Sequence, residues 1–178
     1  MPNYSINTLI VIGDSKNIRR FRKNATSAEC DLSLNALLPM PKELKNTEAE
    51  DERPNWYSWS VENWGTKWDV DGKLVSAFND YLEYSFKSAW NPPLEGLEKV
   101  SKKFPTLQFR IRYFEESDDF IGIACAQKGR VNDRRLDMVD SEIGEESMLN
   151  SILEAARDVV HTCAKISYRI SSLLPEGR

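Results

Sequence analysis

Residues 81–126 leave few folds open. In YLEYSFKS, Leu82, Tyr84 and Phe86 alternate with Tyr81, Glu83, Ser85 and Lys87, the period-two pattern of a strand with one buried face. NPPLEGLEKVSKKFP then predicts a helix, with Asn91 as its cap, prolines in its first turn and Pro105 as its stop. Its apolar face is Leu94, Leu97, Val100 and Phe104. TLQFRIRYFEE alternates again, Leu107, Phe109, Ile111 and Tyr113 inward and Gln108, Arg110 and Arg112 outward. Ser117-Asp118-Asp119 predicts a tight turn, and FIGIACAQ the returning strand of a hairpin.

The N-terminal part supplies a similar unit. YSINTLIVI is β-branched and apolar and ends at Gly13-Asp14, which predicts a buried strand and a turn. Asp14 or Ser15 caps SKNIRRFRKNAT, where Ile18, Phe21 and Ala25 share a face and Lys16, Arg19, Arg20, Arg22 and Lys23 lie mostly elsewhere. LSLNALLPMP reads as a short strand ended by Pro39 and Pro41. The expected fold is α+β: a ferredoxin-like sandwich, with two helices on one face of a mostly antiparallel sheet and an additional edge strand. The second sheet face should carry the polar alternates. Residues 1–128 form this domain, with an aromatic insertion at about 42–77 that begins in the charged loop KELKNTEAEDERP.

The insertion holds NWYSWSVENWGTKWDV, with Trp56, Trp59, Trp64 and Trp68 among the chain's five tryptophans. Each ring buries roughly 150–250 Å², so four exposed rings would exceed the apolar patch a soluble monomer tolerates. Asn55 can start a short helix and Gly65 can end it in the left-handed conformation. Tyr57, Val61 and Trp64 would then share a face, with Trp56 and Trp59 nearer the opposite side. A strand over WYSWSV is the rival. One reading makes the rings a minor core closed by Trp90; the other makes them a pocket with Asn63 and Lys67 as its polar groups.

Beyond Gln127 the pattern changes. Residues 129–147 are charged and read as a linker. Residues 148–174 then carry Leu149, Ile152, Ala156, Val159, Cys163, Ile166, Ile170 and Leu173, stepping 3, 4, 3, 4, 3, 4, 3. That is a heptad seam, on a helix of about 40 Å. It either folds back over the exposed sheet face or pairs with its copy or another protein. Dimerisation through it is the expectation.

NWGTKWD (residues 63–69), with LLPMPKEL before it and SAWNPPLEGLEKVSKKFP after it, resembles the signature of a family of phage- and plasmid-borne proteins, the ferredoxin-like family that includes YubB. The resemblance covers residues 4–128. It implies the fold and carriage on mobile elements, and carries over no catalytic residues.

Enzyme chemistry finds little footing. The single histidine, His161, lies off the seam, and no phosphate loop or metal-binding spacing occurs. No catalytic residue, metal or cofactor is expected. Cys30, Cys125 and Cys163 are odd in number and far apart, which reads as a reduced cytosolic protein, and no stretch approaches a membrane span. The net charge of −4 gives no general attraction to nucleic acid. A local surface using Arg19, Arg20, Lys23, Arg110 and Arg112 is the alternative to a protein-interaction module, although the aromatic consensus of RNA-recognition sheets is missing.

Overall fold

The computed structural model describes residues 3–115 and 120–137. The turn expected at 117–119 and the seam at 148–174 lie outside these residues. The strands are β1 (Tyr4–Ile12), β2 (Lys73–Ala77), β3 (Tyr81–Ala89), β4 (Gln108–Glu115), β5 (Phe120–Gln127) and β6 (Arg130–Asp137). They form one sheet of order β2-β3-β1-β4-β5-β6, antiparallel at every pairing. Helices α1 (Ser15–Ala25) and α4 (Leu94–Lys103) connect β1 to the β2–β3 hairpin and β3 to β4. This is the ferredoxin-like arrangement, extended past β4 by two strands rather than the one expected. Two further helices, α2 (Leu34–Leu37) and α3 (Trp56–Trp64), lie in the connection between α1 and β2.

The core forms where α1 and α4 meet one sheet face. Phe21 is its hub, edge-on to Tyr84, Phe104 and Phe109 at ring distances of 6.3, 5.4 and 5.4 Å, the geometry that aromatic quadrupoles favour. Asp14 caps α1, its carboxylate accepting the Lys16 and Asn17 amides. A buried polar cluster interrupts this face near the start of β1. The Asn7 amide donates to the Ser5 carbonyl, the Phe86 carbonyl and Ser88 Oγ, and Ser88 Oγ donates to the Asn91 carbonyl.

Three expectations change. The strand at LSLNALLPMP is instead α2, with only Leu32 bridging to Gly72; the true β2 comes later, at Lys73–Ala77. The cap decides it: Ser33 Oγ accepts the Ala36 amide, and the Asp69 carboxylate accepts those of Leu34 and Asn35, which a strand would leave without these partners. The start of the supposed linker, 130–137, is β6, paired with β5 along its whole length. Lys128 and Gly129 have φ of 52° and 74°, and two left-handed residues between strands make the hairpin turn that follows sheet twist. Finally, Asn91 does not cap α4. The prolines precede the helix, and Pro93 sits at the cap position with no side-chain bond.

Candidate interaction surface and aromatic clamp

The tryptophan stretch folds as the helix expected of it. Asn55 and Ser58 form a capping box, and Gly65, at φ 80°, ends α3. The helix turns differently about its axis, however. Trp64 and Ser60 are its buried residues, while Val61 is exposed. Trp59 meets Trp64 edge-on at 5.2 Å and packs partly on the main core. Trp56 stands edge-on to Tyr57 at 5.8 Å.

Each residue of NWGTKWD has a structural task. The Asn63 amide donates to the Trp59 carbonyl and its oxygen accepts Lys99 Nζ, tying α3 to α4. Trp64 Nε1 donates to the Leu38 carbonyl. Gly65 also stands where a Cβ would collide with the Glu95 side chain. Thr66 Oγ1 donates to the Ala89 carbonyl at the end of β3. Asp69 holds the start of α2 and accepts Ser33 Oγ at 2.6 Å.

Lys67 stands among three of the aromatic rings. Its ammonium lies 4.8 Å from the Trp68 ring, 5.3 Å from Trp90 and 5.6 Å from Tyr57, all within cation–π range. Trp90 meets Tyr57 edge-on at 6.4 Å. Its φ of 65° is uncommon for a residue with a side chain, and its amide is held by the Asn3 carbonyl. Lys67 and Asn63 are thus not partners: one caps an aromatic clamp, the other holds α4. The clamp draws together Tyr57 in the first turn of α3, Lys67 and Trp68 beyond that helix, and Trp90 just after β3.

The other sheet face has no described helix on it, and it is less polar than expected. Strand register places Ile6, Phe114, Ile121 and Leu136 in one row across β1, β4, β5 and β6. Ile6 is 48% exposed; the other three are half-buried. The next row is Thr8, Arg112, Ile123 and Arg134, and the third Ile10, Arg110, Cys125 and Asn132. Ile12 continues the apolar line along β1. The sequence pattern hides this surface because outward Ile6, Ile10 and Ile12 alternate with inward Leu9 and Val11 in β1, and β6 is mostly charged. Cys125 on this face is disulfide-bonded, whereas Cys30 is a free thiol. An odd count and wide spacing say nothing of pairs that the fold brings together, so the fully reduced reading does not hold for Cys125.

The candidate nucleic-acid residues do not form one surface. Arg19, Arg20 and Lys23 are exposed on α1, which packs on the core face through Phe21 and Phe109. Arg110 and Arg112 alternate with Phe109 and Ile111 and so emerge on the opposite face. Arg20 lies 5.1 Å over the Phe104 ring. Arg110 donates twice to Gln108 Oε1, and burial lowers its pKa. The Tyr81 hydroxyl donates to Glu83, which places a carboxylate where a stacking platform would want a free ring.

Residues 63–162, more than half of the chain, match the family model described as "Ferredoxin-like domain in Api92-like protein". The chain belongs to this family. The match starts at the NWGTKWD motif and runs past β6, whereas the sequence resemblance was placed at 4–128. A crystal structure of a protein api92 from Yersinia pseudotuberculosis is similar at 16% identity and a TM-score of 0.45, over 57% of this chain and 39% of that one. The chain therefore spans well under half of that relative. No curated protein matches it. Among the described residues, no helix is long and apolar enough to cross a membrane.

Proposed function

We propose that this chain is a protein-interaction module that binds through the open face of its sheet. The observation that supports it is the apolar row Ile6–Phe114–Ile121–Leu136, in register across four strands. Burying such side chains from water is worth about 25 cal/mol per Å² of apolar area. Arg112 and Arg134 beside the row would set the partner's orientation and reward acidic groups at its rim. The split of the basic residues between two sheet faces favours a protein partner over a nucleic acid. Accessory service on a phage or plasmid accords with the resemblance carried by residues 63–69.

The test is capture from bacterial lysate on the full chain, beside a double variant, Ile6→Asp with Ile121→Asp, whose fold is verified by circular dichroism. A protein retained by wild type and lost by the variant supports the proposal. Equal capture by both, or a salt-sensitive shift of single-stranded RNA or DNA that Arg112→Ala abolishes, overturns it.

A further inference from the structure

We infer that the solvent side of α1 is a second binding surface, one that holds the phosphate backbone of a nucleic-acid duplex without reading its sequence. It lies on the helix side of the sheet, apart from the interaction surface on the open face, and neither surface depends on the other. The cations of the open face, Arg110 and Arg112, take no part in it.

With the turn of an α-helix, Lys16, Arg19, Arg20 and Lys23 form one stripe along α1. Ile18, Phe21 and Ala25, the buried residues of the helix, lie across from it. All four cations are exposed, as is Arg22 beside them, and the helix carries no acidic residue. Among the described residues the ion pairs are Lys102–Glu98 at 2.7 Å and Arg135–Asp137 at 2.9 Å, and neither involves α1. Arg19 faces Lys16, Arg22 and Lys23 at spacings of three and four residues, where like charges weaken a helix. Lys16 also stands in the first turn, at the positive end of the helix dipole. A surface kept for solubility alone mixes its signs. This one gathers a single sign on a chain whose net charge is −4, at a cost to the helix that an anionic ligand relieves.

The positive surface continues past the helix. Phe104, under the Arg20 guanidinium at 5.1 Å, directly follows Lys102 and Lys103 in the last turn of α4. There the Gly129 amide donates to Ser101 Oγ at 2.8 Å, which holds the exposed Lys128 of the β5–β6 turn beside the same helix end. Length and the lack of stacking rings specify the ligand. From Lys16 to Lys23 the stripe runs about 10 Å, the length of about three phosphate steps along one strand of a duplex. Phe21 and Phe104 are buried, and the exposed large apolar residues of the described chain all lie off α1 and α4. Single-strand binders need rings on which bases stack. A duplex instead turns its backbone outward, and contacts to phosphate carry no sequence information.

The full chain is titrated into a fluorescent DNA duplex of about 20 base pairs and arbitrary sequence, at salt from about 25 to about 200 mM. Anisotropy should show binding that weakens with a log–log slope of about −3.6, from four phosphates at about 0.9 each, or roughly 150-fold between about 50 and about 200 mM. Arg19→Gln with Lys23→Gln should halve the slope to about −1.8. Lys16→Gln with Arg20→Gln removes the other two members of the stripe and should do the same. All four positions are exposed, and circular dichroism verifies the fold of each variant. Arg112→Ala should bind the duplex as wild type does. No duplex binding at the lowest salt, or an unchanged slope in both double variants, overturns the proposal. Tighter binding to the single strand of the same sequence overturns it too, as does binding to phosphatidylserine vesicles in preference to the duplex, which would assign the stripe to a lipid surface. Loss of duplex binding in Arg112→Ala moves the site to the sheet face and also overturns it. Capture from lysate by the open face should be equal in wild type and the α1 variants, so the two surfaces stand or fall separately.

Discussion

Replacing Lys67 with Met tests whether the clamp is an electrostatic device or only a greasy contact. Met keeps a long, flexible stem for the rings and removes the charge. The ammonium faces rings at 4.8, 5.3 and 5.6 Å, and Trp68 is 39% exposed, so the site is partly wet. Cation–π pairs range from about 0.5–1 kcal/mol in exposed sites to about 2 kcal/mol when desolvated. Three rings sharing one cation do not add fully, so the charge should contribute about 1.5 kcal/mol. Sulfur–aromatic contact returns part of this, about 0.5 kcal/mol. Lys67→Met should therefore lower stability by about 1 kcal/mol, a fall in Tm of about 2–4 °C for a chain of this size. Lys67→Arg, which keeps the charge, should change less. Urea unfolding followed by tryptophan fluorescence reads the effect. A double-mutant cycle with Trp90→Leu should show coupling of roughly 0.5 kcal/mol or more. Additive single variants, or a Met variant as stable as wild type, would refute the electrostatic account.

Asp69→Ala removes the acceptor of the Leu34, Asn35 and Val70 amides; urea unfolding should show a loss of about 2 kcal/mol, at the upper end for a cap. Tyr84→Phe should stabilise by about 1 kcal/mol, because the Tyr84 hydroxyl is buried with no hydrogen-bond partner among the described residues and burial raises its pKa to about 12; a lower Tm in the variant would refute this. Asp14 has its pKa lowered from 3.8, chiefly by hydrogen bonds from the Asn17 side chain and backbone. A depressed carboxylate stabilises above its unfolded pKa and loses that contribution as pH falls through its folded value. The stability gap between wild type and Asp14→Ala should therefore be full at neutral pH and narrow below 3.8, with the titration midpoint read by NMR.

Strands and helices with one buried face were legible because burial imposes a period on their sequence. The outward and inward sets of β3 and β4 and the Ile18–Phe21–Ala25 stripe were read from that period alone. The misreadings fall where burial imposes none. Residues 34–37 make a single turn, too short to show a period; Ser33 caps it locally, but the further support from Asp69 comes from far along the chain. β6 is an edge strand of mostly charged residues whose order comes from pairing with β5; its local signal was the Lys-Gly pair at the turn. In the clamp, Lys67 and the tryptophans were found as candidates, but their spacing could not say that the cation between the rings would be the protein's own. Asn63 was grouped with Lys67 by proximity in sequence, and the helix directs it to Lys99 instead.

The Asn7 cluster has a consequence for how the chain avoids folding wrongly. In most half-buried strands, polarity chooses the register, since a slip by one residue would bring polar groups into the core. β1 lacks that safeguard. Its outward residues Ile6, Ile10 and Ile12 could take the inward places of Leu9 and Val11 with little change in hydrophobicity. What a slipped strand could not recover is the place of Asn7, whose amide reaches three acceptors on β1 and β3 at once. Shifted by one residue, it would face outward and leave Ser88 opposite an aliphatic chain. One buried amide thus proofreads a strand that would otherwise be greasy on both sides.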